Sequence, residues 1–376
     1  MNRNEISELR RRLNPEKNNI PEILGCYVDT KGEIISSFRR PLISMPQEEC
    51  EKYLNIFRKT LSGTPGKNLI DVEFYPYDVM NSENHKALMH LRETGLKDEE
   101  AVQDLFARII SALKMETNYL ILLLCDSYDV PFKGRDDVKV DDASEEVFNY
   151  FLCCVCPVVT GKTELGYRHD DKRFHNAVIS QMLKPPVLGF LYPAFDDRCT
   201  NIYGALLYSR NAQENHAAFV NAVFNRPAPM TAPEQKDCFD QLLSDAMDAR
   251  CSFEVMQNLN QQLCDKLAAH KESGSPEVLS FTAEEMGELL EDSGSAPEQA
   301  EAFIHSCEER LGKDAAILPA NVCNPRKMTV ETEQIKISLD PQYSYLIKTK
   351  KENCRKYIII SADAGVEING VPVEIE

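Results

Sequence analysis

Asp196, Asp197 and Arg198 put two carboxylates and a guanidinium between two apolar runs, a place where loops often carry function. Such a pair could ligate a divalent cation or supply an acid and a base. A metal-dependent hydrolase built on it would recruit His169 and His175 from a neighbouring segment. Adjacent residues of an extended chain point to opposite faces, so both carboxylates serve one centre only if the chain bends. The favoured expectation is a turn in which one aspartate accepts from backbone amides and Arg198 pairs with the other. His169, Asp170, Asp171 and His175 carry ligand types that divalent metals accept, but His-x5-His fits neither a helical i,i+4 pair nor alternate strand positions. Lys172 and Arg173 add positive charge to the same segment, which therefore reads as an exposed charged turn.

Cys153 and Cys156 form a C-x-x-C around Cys154, the spacing of a redox pair or of half a zinc site, and Cys125 is the nearest further ligand. All three lie inside an apolar run, where a thiol behaves as a small hydrophobe, so core packing is expected. Gly161, Lys162 and Thr163 resemble the end of a phosphate-binding loop, but Cys156 stands where the upstream glycine belongs. No nucleophile elbow, zinc-protease helix or dinucleotide fingerprint occurs. No cofactor is expected.

Arg10, Arg11 and Arg12, with Arg39 and Arg40, are the best basic cluster. Glu5, Glu8 and Glu16 are interleaved with the first three, and the net charge of -18 opposes a polyanion, so a solvated helix face is favoured and nucleic acid is an unlikely partner. The helices expected at 283–292 and 298–311 could form a helix-turn-helix, yet the second opens with Glu298 and Glu301, which repel phosphate. Thirteen cysteines scattered through a long chain do not make a disulfide framework. Residues 1–14 contain no apolar core of a secretion signal, and the apolar runs 119–125 and 151–160 are too short to span a bilayer. The expectation is a cytoplasmic protein with no membrane span.

The elements that must position these residues can be read from periodicity. Residues 5–13 form a helix, and 23–28 with 33–38 form a hairpin around Asp29 and Gly32. A helix follows Pro46, a strand covers 69–74, and Ser82 and Asp98 cap two further helices. Runs 119–125 and 147–159 read as neighbouring central strands joined by an exposed, mobile loop over 134–142. Runs 185–193 and 202–208 are another strand pair. Helices are expected at 216–224, 234–248 and 252–270, a linker at 272–277, and alternating β segments from 329 onward.

The string KPPVLGFLYPAFDDR over 184–198, with TNIYGALLY over 200–208, resembles the signature of a Firmicutes family catalogued as domain of unknown function 4317. The strings EISELRRRL (5–13), PEKNN (15–19), GCYV (25–28), TLSG (60–63), KNLID (67–71), RKYI (355–358) and GVEING (365–370) resemble the same family. The resemblance spans nearly the whole chain and implies no activity and no catalytic residues. In element order alone the chain also resembles nucleoid-associated proteins of the spermidine-nucleoid type, a likeness that is a poor guide to function.

These observations predict an α+β protein with a mixed or antiparallel sheet. Its expected parts are a body over 1–210, a helical segment packing on it over 211–272, a small helical pair over 282–312 and a β-rich module over 327–376. The favoured role is a non-enzymatic interaction or regulatory protein with a protein partner. A metal-dependent hydrolase on Asp196, Asp197 and His169 and a nucleoid-associated or nucleic-acid-binding protein are the alternatives. The oligomeric state is left open.

Overall fold

The computed structural model describes residues 1–133, 139–161, 164–168, 170, 172–177, 181–247, 251–313, 315–363 and 365–374. The chain divides into two compact units, Met1–Ala232 with Pro276–Val278, and Pro233–Ser275 with Leu279–Glu376.

In the first unit, α1 (Arg3–Arg12) opens with a reciprocal cap: the Asn2 side chain accepts from the Glu5 amide at 3.0 Å, and the Glu5 carboxylate accepts from the Asn2 amide at 2.7 Å. Strands β1 (Glu22–Val28) and β2 (Ile34–Pro41) pair antiparallel. Asp29 closes their turn by accepting from the Lys31 and Glu33 amides at 2.8 Å, and Gly32 supplies a φ of 85°. Next come α2 (Gln47–Thr60), β3 (Leu69–Glu73), α3 (Pro76–Asn81), α4 (Glu83–Glu93) and α5 (Glu99–Ala112). Ser82 and Asp98 cap α4 and α5 as expected.

Strands β4 (Tyr119–Lys133) and β5 (Lys139–Thr160) pair antiparallel at the middle of the sheet. They run past the apolar segments that announced them, and the core of the loop expected between them, 134–138, lies outside the described residues. Then follow β6 (Glu164–Arg168), β7 (Arg173–Ala177), β8 (Gln181–Leu183), β9 (Leu188–Tyr192), β10 (Ala194–Asp196), β11 (Cys199–Asn201), β12 (Gly204–Ser209) and α6 (Ala217–Phe224). The main sheet is eight-stranded, in the order β2-β1-β4-β5-β9-β12-β3 with β8 also on β5, and its pairings are antiparallel.

Antiparallel sheets often leave one face to water, but the unbroken apolar runs of β4 and β5 require cover on both. Ile121, Leu123, Phe151, Cys153 and Val155 point into one core with Leu88 and Leu91 of α4, Phe106 and Ile109 of α5, and Val220 and Phe224 of α6. Leu122, Leu124, Leu152, Cys154 and Cys156 point into the other, against Ile6 and Leu9 of α1 and Leu54 and Phe57 of α2. The period of two thus builds a three-layer body. Gly189 of β9 permits a close approach to backbone: a Cβ there would stand 2.4 Å from the Cys153 carbonyl oxygen and 2.5 Å from the Thr60 methyl.

The second unit packs α7 (Ala232–Ala246), α8 (Phe253–Ser273), α9 (Ala283–Asp292), α10 (Pro297–Leu311) and α11 (Pro319–Val322) around Phe239, Leu243, Leu259, Leu263, Met286, Leu290 and Phe303. Thr282 and Glu285 form a capping box at the start of α9. The helices of the stretch 211–272 serve two different cores. The apolar face of α6 completes the first unit's core, whereas those of α7 and α8 meet α9 and α10. Three hairpins follow: β13 (Met328–Glu331) with β14 (Lys336–Leu339), β15 (Ile347–Glu352) with β16 (Arg355–Ile360), and β17 (Val366–Ile368) with β18 (Val371–Val373). Among the described residues no helix is long and apolar enough to cross a membrane.

Candidate functional sites

Hairpin β10–β11 turns on Asp197 and Arg198, whose φ values of 51° and 59° are both left-handed, the pattern of a two-residue hairpin turn. A turn was expected, but its partners differ from the local ones anticipated. Asp196 accepts from the α-amino group of Met1 at 2.9 Å and from the Asn201 side-chain amide at 2.6 Å. Arg198 reaches Glu8 of α1, at 3.0 and 3.3 Å, rather than an aspartate of its own turn. Glu8 also accepts from the Tyr128 hydroxyl at 2.5 Å. Glu5, buried beneath, accepts from the Asp197 amide, and burial raises its pKa. Thr200 donates its amide to Glu146 at 2.8 Å. The bonds of Glu5, Glu8 and Glu146 tie α1 and β5 to this hairpin. Asp196 and Arg198 are engaged within the chain, while Asp197 is exposed. A substrate would have to displace those partners.

A second polar cluster lies one turn along α1. Asp126 is fully buried as a side chain, and it accepts from Arg12 at 2.9 and 3.1 Å, from the Asn19 amide at 2.8 Å and from the Tyr150 hydroxyl at 2.9 Å. Burial drives the Tyr150 pKa far up, so its hydroxyl stays a donor. The Arg12 guanidinium stacks 4.3 Å above the Tyr128 ring. A buried carboxylate with four donors is a satisfied structural ion. Arg39 likewise pairs with Glu22 at 2.6 Å and donates to the Leu96 carbonyl, and Arg40 pairs with Glu49. Of the five arginines singled out in the sequence, Arg10 and Arg11 are left exposed on α1.

Cys153, Cys154 and Cys156 are all fully buried, and burial raises the Cys153 pKa. Cys153 belongs to one core, and Cys154 and Cys156 belong to the other. On a strand an i,i+3 spacing sends the two members of a C-x-x-C to opposite faces, so Cys153 and Cys156 cannot meet. His169 lies outside the described residues, as does the side chain of His175, whose backbone pairs with Gly166. Among the described residues no three His, Cys, Asp or Glu side chains gather as metal ligands do.

Spacing did not reveal two further histidines, His85, which long-range folding buries, and His216, which is partly buried among residues close to it in sequence. His85 Nε2 lies 2.9 Å from the Ile202 carbonyl and 3.0 Å from the Tyr192 hydroxyl, with Phe74 edge-on at 4.9 Å. His216 Nε2 lies 2.9 Å from Ser209 Oγ and 3.7 Å from Glu214. That trio has the residue types of a nucleophile, a base and an orienting acid, but the carboxylate addresses the same ring nitrogen as the serine. Ser209 is buried and donates to the Asn211 carbonyl at 2.7 Å, so the trio cannot relay a proton. Burial lowers the His216 pKa.

The first unit also holds clefts, the first of which takes in Arg39. One of about 300 Å³ runs between Phe38 and Gln103, and one of about 310 Å³ runs between α4 and α5, lined by Glu83, His90, Asp104 and Arg108.

The C-terminal hairpins differ sharply among themselves. β13–β14 half-buries one face, with Met328, Val330, Ile337 and Leu339 turned inward. On β15–β16, by contrast, Ile347 is buried and every later residue of the pair is exposed on both faces. Tyr357, Ile358, Ile359 and Ile360 are 42, 38, 43 and 52 % exposed. Lys348, Lys350, Lys351, Arg355 and Lys356 oppose a single Glu352 on that hairpin. The sequence marked 357–360 as a β segment, but it could not show that among the described residues none covers it.

Fold and surface together define an α+β protein with a sheet covered on both faces and, among the described residues, an exposed C-terminal β hairpin. The chain belongs to the family described as Domain of unknown function (DUF4317), whose model matches residues 1–371. No curated protein matches the chain.

Proposed function

We propose that this is a non-enzymatic interaction or regulatory protein whose docking element is the hairpin β15–β16. The observation that carries the reading is the run Tyr357, Ile358, Ile359 and Ile360, exposed on both faces of a two-stranded ribbon. An isolated ribbon of that kind is marginal in water, and a contiguous exposed apolar strand marks an interaction site. The engagement of Asp196 and Arg198 with the Met1 amine, Asn201 and Glu8 supports the same reading, because these groups serve the fold.

The test is capture by the tagged full-length chain in a lysate of its source organism, compared with an Ile359→Lys variant. A defined protein recovered by the wild type and lost with the variant supports the reading. Equal recovery of the same proteins by both overturns it.

A further inference from the structure

We infer that the occupant of this hairpin is a second copy of the chain, added edge to edge along β16 across a twofold axis; this rests on the docking reading above. The two edges of the ribbon are not alike. β15 presents Lys348, Lys350 and Lys351, the residue type that blunts a sheet edge against pairing. β16 presents Tyr357, Ile358, Ile359 and Ile360, with no charge among them, and among the described residues it pairs only with β15. Both edges carry unpaired backbone donors and acceptors, so it is the side chains that set the guarded β15 outermost and leave the β16 edge open to pairing. A strand with that composition needs a partner strand.

The identity of that strand follows from where the charges sit. The cations of β16, Arg355 and Lys356, lie at one end only, and the apolar residues lie at the other. Antiparallel pairing centred on Ile358 sets Tyr357 against the partner's Ile359 and Lys356 against the partner's Ile360. Each copy's cations are then carried to opposite ends of the junction, so like charges never meet. Arg355 falls opposite the partner's Ser361, near the start of a segment that carries Asp363, Glu367 and Glu374 and no lysine or arginine over 363–374. The pairing is therefore complementary in both apolar contact and charge, and it produces a four-stranded sheet β15-β16-β16-β15. Because one patch serves both copies, the interface closes as a dimer and does not propagate. The polar tip, Glu352, Asn353, Cys354 and Arg355, places charge where a membrane-inserting hairpin would need apolar residues.

The test is sedimentation equilibrium of the full-length chain, read beside hydrogen exchange of the β16 amides. The expected result is a dimer of the 42.6 kDa chain with slowly exchanging amides over 356–360. Ile358→Lys places two ammonium groups on the axis and weakens association by at least about tenfold, with far-ultraviolet circular dichroism unchanged. At position 360 the sign of the new charge decides the result. Ile360→Lys meets the partner's Lys356 and weakens the dimer, whereas Ile360→Glu meets the same lysine and retains it. Lys350→Glu, on the outer strand, leaves association intact. A chain that stays monomeric, a dimer indifferent to Ile358→Lys, or equal effects of Ile360→Lys and Ile360→Glu overturns the inference. A monomer that still captures a partner in the lysate experiment removes the self-pairing and leaves the docking reading standing. A monomer that captures nothing removes both.

Discussion

Residues 151–156 of β5 and 357–360 of β16 are both unbroken apolar runs, yet the first is fully buried and the second is exposed on both faces. What separates them is the number of layers each strand finds. β5 has β4 and β9 at its edges, α2 beneath and α4 above, while β16 has β15 alone. An apolar strand next to a single partner retains the same backbone ladder but gains little burial, and burial is the dominant favourable term in folding. Apolar composition in the body therefore contributes stability. In the hairpin it stays in contact with water.

Mutations that probe the two regions should separate them widely. Phe151→Ala removes a ring packed 5.7 Å from Phe190 in the covered sheet and should cost about 3–5 kcal/mol in chemical denaturation. Arg12→Met leaves the Asp126 carboxylate buried without its cation and should cost about 3 kcal/mol or more; if the loss is under about 1 kcal/mol, that cluster is not a paired ion. Gly189→Ala forces a methyl group against the Cys153 carbonyl and Thr60, for about 1–3 kcal/mol, and a neutral result would mean that β9 and α2 yield more readily than the close packing indicates.

A titration gives a smaller effect. Burial holds His216 neutral in the folded state, below its ordinary value of 6.5, so the unfolded chain binds the extra proton first. Stability is unaffected well above that pH and falls as the pH drops below it. Denaturation of His216→Gln across pH 5 to 8 should flatten that slope at about the ordinary histidine pKa. The smallest effect belongs to the hairpin: Ile359→Ser should change monomer stability by no more than about 0.5 kcal/mol, since its side chain already faces water.

Much of the fold could be read locally. The β1–β2 turn was visible in Asp29 and Gly32, and the caps at Ser82, Asp98 and Thr282 appeared as residue types in place, because each is satisfied within a few residues of chain. The separation of Cys153 from Cys156 was also legible, since a strand of alternating faces forbids an i,i+3 pair from meeting. The partners of Arg198 and Arg12 were not. Glu8 is 190 residues away from Arg198, and Asp126 is 114 residues from Arg12, so a reading confined to neighbours assigned Arg198 an aspartate of its own turn and placed Arg12 on a solvated face.

The amino-acid sequence alone determined the main strands and helices, several caps and the apolar faces that had to be hidden, because these depend on side-chain period and short-range hydrogen bonds. Only the tertiary structure decided which charges neutralise one another and which apolar strand is left without cover. Both outcomes depend on desolvation by residues distant in the chain, and a residue's own neighbours carry no record of that.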